Sequence, residues 1–137
     1  ILPFMQIINV EATLKSPKVI MDKEKGRFEI NGRSIPENTS EFYAPIMEWL
    51  TEYGKSPNPT TDFKFKLEYF NTSSSKCILD ICRIIEEMKQ RGSNVKITWI
   101  YEEYDEDMLE AGEDYEAMVD VPFDIVMVKS EDEDLYK

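Results

Sequence analysis

The stretch Tyr69-Phe70-Asn71-Thr72-Ser73-Ser74-Ser75-Lys76 decides the fold, because it joins a strand pattern directly to a helix pattern. The strand pattern is an alternation of apolar and charged side chains, with the apolar positions at Phe63, Phe65, Leu67 and Tyr69. The helix pattern is an apolar stripe at Ile78, Ile81, Ile84, Ile85 and Met88. A period of two indicates a strand with one buried face, and a period near 3.6 indicates an amphipathic helix. The junction between them consists of four consecutive hydroxyl residues, 72–75.

These hydroxyls have two physical uses. A hydroxyl at the start of a helix ordinarily caps a free backbone N–H group, so Thr72 or Ser73 is expected to cap this helix. The same place suits an added phosphate, because unpaired N–H groups and the positive end of the helix dipole point at it. Four hydroxyls exceed what one cap requires. The residues alone leave both a plain cap and a covalent switch open.

Further strands and helices are predicted on both sides of the junction. Short strands are expected at 6–12, 18–21 and 27–30, and Asn31-Gly32 predicts a hairpin turn that returns the chain through 33–35. Tyr43 and its apolar neighbours predict a first helix over 42–53, with Pro45 either in its first turn or at a kink. The remaining elements are a strand at 95–101, a helix at 108–119 that is weakened by Gly112, a final strand at 123–128 and a helix end at Gly92.

Strands that alternate with helices of this length imply crossover connections and a largely parallel sheet. The predicted fold class is α/β, with a mixed, mostly parallel sheet, N-terminal antiparallel hairpin strands and about three helices. At 137 residues, the chain is expected to form a single domain over 1–137. Its core is expected at about 6–128 and an acidic tail at 129–137, with Met5 as the expected natural start.

Composition excludes several functions. The net charge is −12, from 28 acids and 16 bases, so a nucleic-acid backbone would be repelled. The chain has no histidine, which removes the commonest general base and metal ligand, and no metal site or cofactor is expected. No stretch approaches the ~18 apolar residues of a membrane span, and no signal peptide is recognised. Cys77 and Cys82 are expected to be reduced, buried thiols, and the protein is expected to be cytoplasmic.

Two other functions stay open from the residues. Ten of the nineteen residues at 102–120 are acids, so this stretch is either a solvated helix face or a docking surface for a basic partner that needs no phosphorylation. An enzyme would use carboxylates such as Asp80 with Glu86 or Glu87. No Gly-rich phosphate loop or nucleophile motif accompanies them, and a serine nucleophile would lack its usual histidine partner. No catalytic residue is therefore assigned.

Several segments form an ordered set along the chain. They are Pro36-Glu-Asn38, Glu41-Phe-Tyr43, Pro45-Ile46, Glu48-Trp49-Leu50, Tyr69-Phe-Asn-Thr-Ser-Ser-Ser-Lys76, Asp105-Glu-Asp-Met-Leu-Glu-Ala-Gly-Glu-Asp114 and Val121-Pro-Phe123. Together they resemble the SiaC family of bacterial regulatory phosphoproteins. The resemblance runs from about Ile8 to Val128, which is nearly the whole chain.

The resemblance implies a fold similar to the anti-sigma-factor antagonist (STAS) domains and a role that is not enzymatic. Members of the family act by partner switching. A dedicated Ser/Thr kinase phosphorylates one threonine at the strand-to-helix junction, and a PP2C-like phosphatase releases the phosphate. In characterised members, the unphosphorylated form binds and activates a diguanylate cyclase, which raises cyclic-di-GMP and favours aggregation or biofilm growth. That threonine matches Thr72, with Ser73 and Ser74 as the alternative acceptors.

The effect of a phosphate here is expected to be electrostatic and steric. It would add ~1.5–2 negative charges to an acidic protein at the start of the second helix. The contact with the partner would then be weakened or redirected while the fold stays intact. The expected contact residues are Asn71, Ser73, Ser74, Lys76, Asp80 and Arg83.

Overall fold

The computed structural model describes residues 5–129, which form a six-stranded sheet and three helices. The strands, in their spatial order, are β1 (Ile8–Val10), β2 (Lys18–Asp22), β3 (Arg27–Ser34), β4 (Thr60–Phe70), β5 (Asn94–Glu102) and β6 (Phe123–Val128). The helices are α1 (Thr39–Tyr53), α2 (Thr72–Gln90) and α3 (Glu106–Met118). Strands β1 to β3 are antiparallel, and β3 to β6 are parallel. This confirms the predicted α/β class, whereas the predicted tail beyond residue 129 and residues 1–4 lie outside the described residues.

The three helices lie on one face of the sheet. Each parallel connection moves one strand further in the same direction, and right-handed crossovers of this kind place their helices on the same side. Helix α1 packs against α2. Tyr115 of α3 donates a hydrogen bond to the Ser75 carbonyl of α2, at 2.9 Å. Within residues 5–129, no helix covers the other side of the sheet, which we call the open face.

The core lies between the sheet and these helices. It is rich in aromatic residues, and the largest fully buried side chains are Trp99, Tyr43, Tyr53, Phe28, Phe63 and Phe65. Both cysteines are buried and unpaired, as expected from the sequence. Burial raises the pKa of Cys82 to about 12, so this thiol packs as a small apolar group.

The predicted hairpin turn at Asn31-Gly32 is wrong, because β3 continues through both residues to Ser34. Asn31 pairs with β2 on one side and with β4 on the other, and Gly32 pairs with β4, so strand pairing keeps both residues in β3. Gly32 has a φ of 124°, which only glycine adopts readily. The first strand is also shorter than expected, at Ile8–Val10. Strand pairing therefore overrode the local turn signal at Asn31-Gly32.

A β-bulge moves Tyr69 out of the core, where the alternation had placed it. The pairing of β4 with β3 skips one residue of β4, Glu68, just before Arg33 pairs with Tyr69. The extra residue breaks the inward and outward alternation of the strand. Tyr69 is therefore 51% exposed. Phe70 turns inward instead, where its ring centroid lies 6.4 Å from that of Trp99.

The start of α1 decides between the two positions that the sequence allowed for Pro45. The helix begins at Thr39 and is capped by Asn38, whose side chain accepts the Glu41 N–H at 3.0 Å. Pro45 therefore lies in the helix interior and not in its first turn. Because proline has no N–H, it cannot donate the helical hydrogen bond to the Glu41 carbonyl.

A chain of buried hydrogen bonds joins the end of β3 to the start of α2. The Tyr43 hydroxyl lies 2.6 Å from Ser34 Oγ, which donates to Ser74 Oγ at 2.8 Å, and Ser74 Oγ donates to the Ser34 carbonyl at 2.9 Å. The same carbonyl accepts the Asn71 N–H at 3.1 Å. Burial raises the pKa of Tyr43 to about 12, so its hydroxyl stays protonated and donates. These bonds, which we call the junction network, fix the first turn of α2 against β3.

Trp99 of β5 holds α3 on the sheet. Its indole N–H donates to the Met108 carbonyl at 2.9 Å. The ring packs against the backbone of α3 at Gly112, where an added Cβ would lie 2.4 Å from Trp99 Cδ1. Gly112 weakened the sequence prediction of this helix, but it is the residue that lets the helix approach the indole.

Replacing Gly112 with alanine is expected to lower the free energy of unfolding, although alanine is the better helix former. The indole is buried and hydrogen-bonded, so we expect the upper part of the ~1–3 kcal/mol that overpacking costs. This exceeds the ~1 kcal/mol that alanine gains in helix propensity. Chemical denaturation measures the difference, with Glu113→Ala on the exposed side of α3 as the control, expected within ~0.5 kcal/mol of the wild type. A Gly112→Ala variant as stable as the wild type would contradict this account.

Replacing Ser74 with alanine is expected to destabilise the protein by about 1–3 kcal/mol, because the buried Ser34 hydroxyl loses its acceptor and the Ser34 carbonyl loses a donor. Ser73→Ala is the matched control, since Ser73 is the exposed neighbour, and its change is expected within ~0.5 kcal/mol. Urea denaturation of the two variants provides the measurement. Equal losses at both serines would show that the junction network is not the cause.

Candidate functional site

The candidate site lies where the parallel strands end. The carboxyl ends of β3 to β6 share one edge of the sheet, and the three described helices begin there, at Thr39, Thr72 and Glu106. In open α/β sheets, ligands generally bind outside this edge. We call it the carboxyl edge. The four hydroxyls that the sequence analysis singled out lie on it.

Asn71 caps α2, so the expectation that Thr72 or Ser73 would cap the helix is wrong. The Asn71 side chain accepts the Ser74 N–H at 2.9 Å, which satisfies the group that a hydroxyl cap would have served. Thr72 and Ser73 occupy the first two helical positions with exposed side chains. Neither hydroxyl forms a hydrogen bond with another residue in 5–129.

The other two hydroxyls belong to the fold. Ser74 has no exposed surface and lies in the junction network. The Tyr115 hydroxyl donates hydrogen bonds to the Ser75 hydroxyl at 3.2 Å and to the Ser75 carbonyl at 2.9 Å. Burial raises the pKa of Tyr115 to about 12, so this phenol also remains a donor. Two hydroxyls thus face inward and two face solvent.

The start of α2 favours a negative charge on Thr72. The first turns of α1 and α3 contain acidic residues, whereas the first turn of α2 contains none. The positive end of the α2 dipole therefore has no carboxylate beside it. Lys76, which is exposed, follows Thr72 by one helical turn on the same side. An anion at a helix start gains ~0.3–1 kcal/mol from the dipole at an exposed position.

The expected contact residues fall into two groups. Asn71 and Ser74 are engaged in the cap and in the junction network, so their side chains serve the fold. The remaining residues lie on α2, with three exposed and one half-buried. They are Ser73, Lys76 and Arg83, and the half-buried Asp80. The structure thus assembles an exposed strip along α2 that begins beside Thr72.

The carboxylates considered for catalysis all lie on α2. Glu86 accepts the Asp120 N–H at 2.7 Å, and its other oxygen lies 3.8 Å from Arg83. The bond to Asp120 ties the segment that follows α3 to α2. Glu87 is exposed and Asp80 is half-buried on the same helix.

In the part of the chain that the structure describes, no group of three or more His, Cys, Asp or Glu side chains could hold a metal ion. No helix within residues 5–129 is long and apolar enough to cross a membrane.

Helix α3 carries an acidic surface. Asp105 caps the helix by accepting the Met108 N–H at 3.0 Å, and Glu106 and Asp107 lie in its first turn. Acids at these positions stabilise the start of the helix through its dipole. The exposed acids further along are Glu110, Glu113, Asp114 and Glu116. Docking of a basic partner on this face stays a prediction.

Tyr69 is a candidate contact residue that the sequence analysis assigned to the core. It is exposed at the carboxyl edge three residues before Thr72, and the Arg33 guanidinium lies 5.9 Å from its ring centroid. Exposed aromatic side chains often provide much of the binding energy at protein interfaces. No sequence signal revealed it, because the bulge that turns Tyr69 outward depends on the pairing of β3 with β4.

Comparison with known proteins gives a consistent result. The sequence matches the SiaC family regulatory phosphoproteins over residues 10–128. It is 29% identical over 121 residues to an uncharacterized protein of Pseudomonas aeruginosa (strain UCBPP-PA14), covering 88% of this chain and 96% of that protein. Apo-SiaC from Pseudomonas aeruginosa superposes with a TM-score of 0.80 at 26% identity, covering 89% of this chain and 99% of that chain.

A further match is a chain in the crystal structure of the diguanylate cyclase SiaD in complex with its activator SiaC, from Pseudomonas aeruginosa. It superposes with a TM-score of 0.84 at 28% identity, covering 88% of this chain and 99% of that chain. The family match spans most of the sequence, and the fold agrees over nearly the full length of the relatives. The chain therefore belongs to the SiaC family of regulatory phosphoproteins.

Proposed function

We propose that this chain is a non-enzymatic, cytoplasmic regulator that binds and activates a diguanylate cyclase while Thr72 is unphosphorylated. A Ser/Thr kinase adds a phosphate to Thr72, and a PP2C-like phosphatase removes it. Membership of the SiaC family and the solved complex of SiaC with SiaD support the class of partner. The observation that carries the proposal is the exposed Thr72 hydroxyl, which forms no hydrogen bond with the described fold.

Accessibility separates the three candidate acceptors. A kinase must seat the hydroxyl and its neighbouring backbone in an active site, which requires an exposed side chain. Thr72 and Ser73 meet this requirement. Ser74 does not, because its hydroxyl is buried and engaged at 2.8 Å and 2.9 Å with Ser34. We therefore retain Thr72 as the acceptor, with Ser73 as the alternative.

The proposed switch acts on the surface of the domain and leaves its core unchanged. A phosphate on Thr72 projects into solvent at a helix start that lacks acidic residues, so it does not disturb the junction network. It adds about 1.5–2 negative charges beside Lys76 and near Tyr69. A partner surface that fits the neutral threonine then meets both extra volume and extra negative charge.

An acidic docking module is the second candidate. The exposed acids on α3, which has no basic residue, favour it, because such a surface attracts a basic partner. This mode would give an affinity that falls steeply with salt and is insensitive to changes at Thr72. The state of Thr72 therefore controls binding in the first function, and the salt concentration controls it in the second.

Phosphopeptide mapping of the protein isolated from its own bacterium is expected to find phosphate on Thr72. The occupancy is expected to differ between growing and starved cells, because a switch must change with conditions. Ser74 is expected to carry none, since its hydroxyl is buried. Phosphate on Ser73 alone, or an unmodified segment in both conditions, would contradict the assignment.

Binding to a purified diguanylate cyclase from the same bacterium is expected to distinguish Thr72→Ala from Thr72→Glu. The alanine variant is expected to bind like the wild type, and the glutamate variant at least ~tenfold more weakly, which is ~1.4 kcal/mol. Isothermal titration calorimetry measures both, and cyclic-di-GMP formation by the cyclase is the second readout.

Thr51→Glu is the matched charge control, because Thr51 is an exposed threonine on α1 outside the carboxyl edge. Its affinity is expected to equal that of the wild type. Equal binding by Thr72→Ala and Thr72→Glu would overturn the proposed switch. If the affinity in that case also fell steeply with salt, the acidic docking module would be favoured.

A further inference from the structure

We propose that the outer edge of β6 binds an extended segment of a partner protein as an added strand, and that this segment carries lysine or arginine beside the acids of α3. This mode of binding gives the acidic docking module described above a location on the surface. It does not depend on Thr72.

The backbone of β6 is arranged to accept another strand. Strand β6 forms one edge of the sheet, and within residues 5–129 it pairs with β5 alone. The carbonyls of Pro122 and Val128 accept hydrogen bonds from N–H groups on the β5 side, both at 2.9 Å. Successive residues of a strand point their N–H and C=O groups to alternate sides. Those of Phe123, Ile125 and Met127 therefore point away from β5, and we call this side of β6 the free edge.

The two edges of the sheet differ in how well they resist strand addition. The other edge strand, β1, has only three residues, and short strands are one means of protecting an edge. Strand β6 has six residues, of which 125–128 are apolar, and Val126 and Met127 are 39% and 53% exposed. Its one charged residue, Asp124, lies 3.2 Å from Lys96. An apolar edge strand of this length favours the addition of another strand.

Helix α3 presents acids on the side of the free edge. The helix packs on β5 and β6, its Tyr115 bonds to α2, and its Gly112 contacts Trp99 of β5. At about 100° per residue, the direction around the helix turns from Tyr115 through Gly112 to Glu116 and then to Glu113. Glu113 and Glu116, which are both exposed, therefore lie on the side away from α2, and this is the side of β6.

Charge selects a basic segment as the occupant. Ten of the nineteen residues at 102–120 are acids, and no base occurs between Lys96 and Lys129. A strand added to β6 lies about 4.8 Å further out, below the outer side of α3. Its side chains that point toward the helices approach Glu113 and Glu116. Lysine and arginine suit these positions, because their long apolar stems carry the charge from the strand toward the helix.

A second copy of this chain is a less suitable occupant. Two β6 strands would pair in antiparallel fashion about a two-fold axis perpendicular to the sheet, so both α3 helices would lie on the same side of the joined sheet. Glu113 and Glu116 of one copy would then face the same acids of the other, and like charges repel. The acidic helix thus disfavours self-pairing at the free edge and attracts a basic strand.

Hydrogen exchange of the full chain with a synthetic peptide tests the proposal. The probe is a capped peptide of about eight residues in which lysine and valine alternate, since a strand of this length covers β6. At saturation, we expect exchange of the Ile125 and Met127 amides to slow by at least ~tenfold, because these N–H groups become hydrogen-bonded. The amide of Val126, which points to β5, is expected to change less. A peptide with glutamate in place of lysine is the charge control and is expected to protect none of them.

A variant pair tests the backbone of the free edge. Met127→Pro removes an outward N–H and leaves the N–H groups that point to β5, so it is expected to abolish protection of the Ile125 amide by the lysine peptide. Met127→Ala keeps the N–H and is the matched control, in which protection is expected to remain.

A second variant pair tests the charge of α3. Glu113→Gln with Glu116→Gln is expected to raise the Kd of the lysine peptide about three- to tenfold, as the loss of two exposed ion pairs implies. Asp107→Asn with Asp114→Asn makes the same change in charge at exposed positions on the other side of the helix. Its Kd is expected to stay within about twofold of the wild type.

Three results would overturn the proposal. Peptide binding that shifts signals of α3 without protecting the Ile125 and Met127 amides would leave the acidic docking module in place but not the added strand. Protection of these amides without peptide, rising with protein concentration, would assign the free edge to a second copy. Equal binding of the lysine and glutamate peptides would show that the acids of α3 do not select the occupant.

Discussion

The arrangement of the carboxyl edge depends on the carbonyl of Ser34. It accepts both the Asn71 N–H and the Ser74 hydroxyl, and the Ser34 hydroxyl links Ser74 to Tyr43. A buried hydroxyl without a partner costs about 1–3 kcal/mol, so these groups are satisfied together only when the first turn of α2 lies against the end of β3. Helical residues turn by about 100° each, and once Ser74 faces inward, Thr72 and Ser73 face solvent. Exposure of the proposed acceptor thus follows from burial of its neighbour.

Charge is distributed unevenly over this acidic protein, and each region suits a different contact. In residues 5–129, α2 is the one helix whose first turn lacks an acid, so an added phosphate meets the dipole without repulsion from a neighbouring carboxylate. Helix α3 carries exposed acids and no base. A net charge of −12 therefore describes no single surface. The proposed phosphate on α2 and a basic partner on α3 would therefore use separate regions of the surface.

The sequence by itself determined the elements and their class. Strand β4 was predicted from the alternation at Phe63, Phe65 and Leu67. Helix α2 was predicted from the apolar stripe that includes Ile81 and Ile85. Both periods follow directly from backbone geometry. The final strand has the bounds that the apolar run indicated. Gly92 ends α2 as expected, with a φ of 97° just after the cap residue Arg91. The hydroxyl segment was also located correctly, at the junction of β4 with α2.

Only the tertiary structure decided which of the local signals prevailed. Asn31-Gly32 stayed in β3 because Asn31 pairs with both β2 and β4 and Gly32 pairs with β4. Tyr69 turned outward because the pairing of β3 with β4 skips Glu68. Asn71 became the cap and Ser74 a core residue because Ser34, forty positions away from Ser74, supplies the buried partners. Periodicity specifies which side of an element is apolar. Register and hydrogen-bond partners depend on residues that are distant in the sequence, and so they are fixed only when the sheet and the helices assemble.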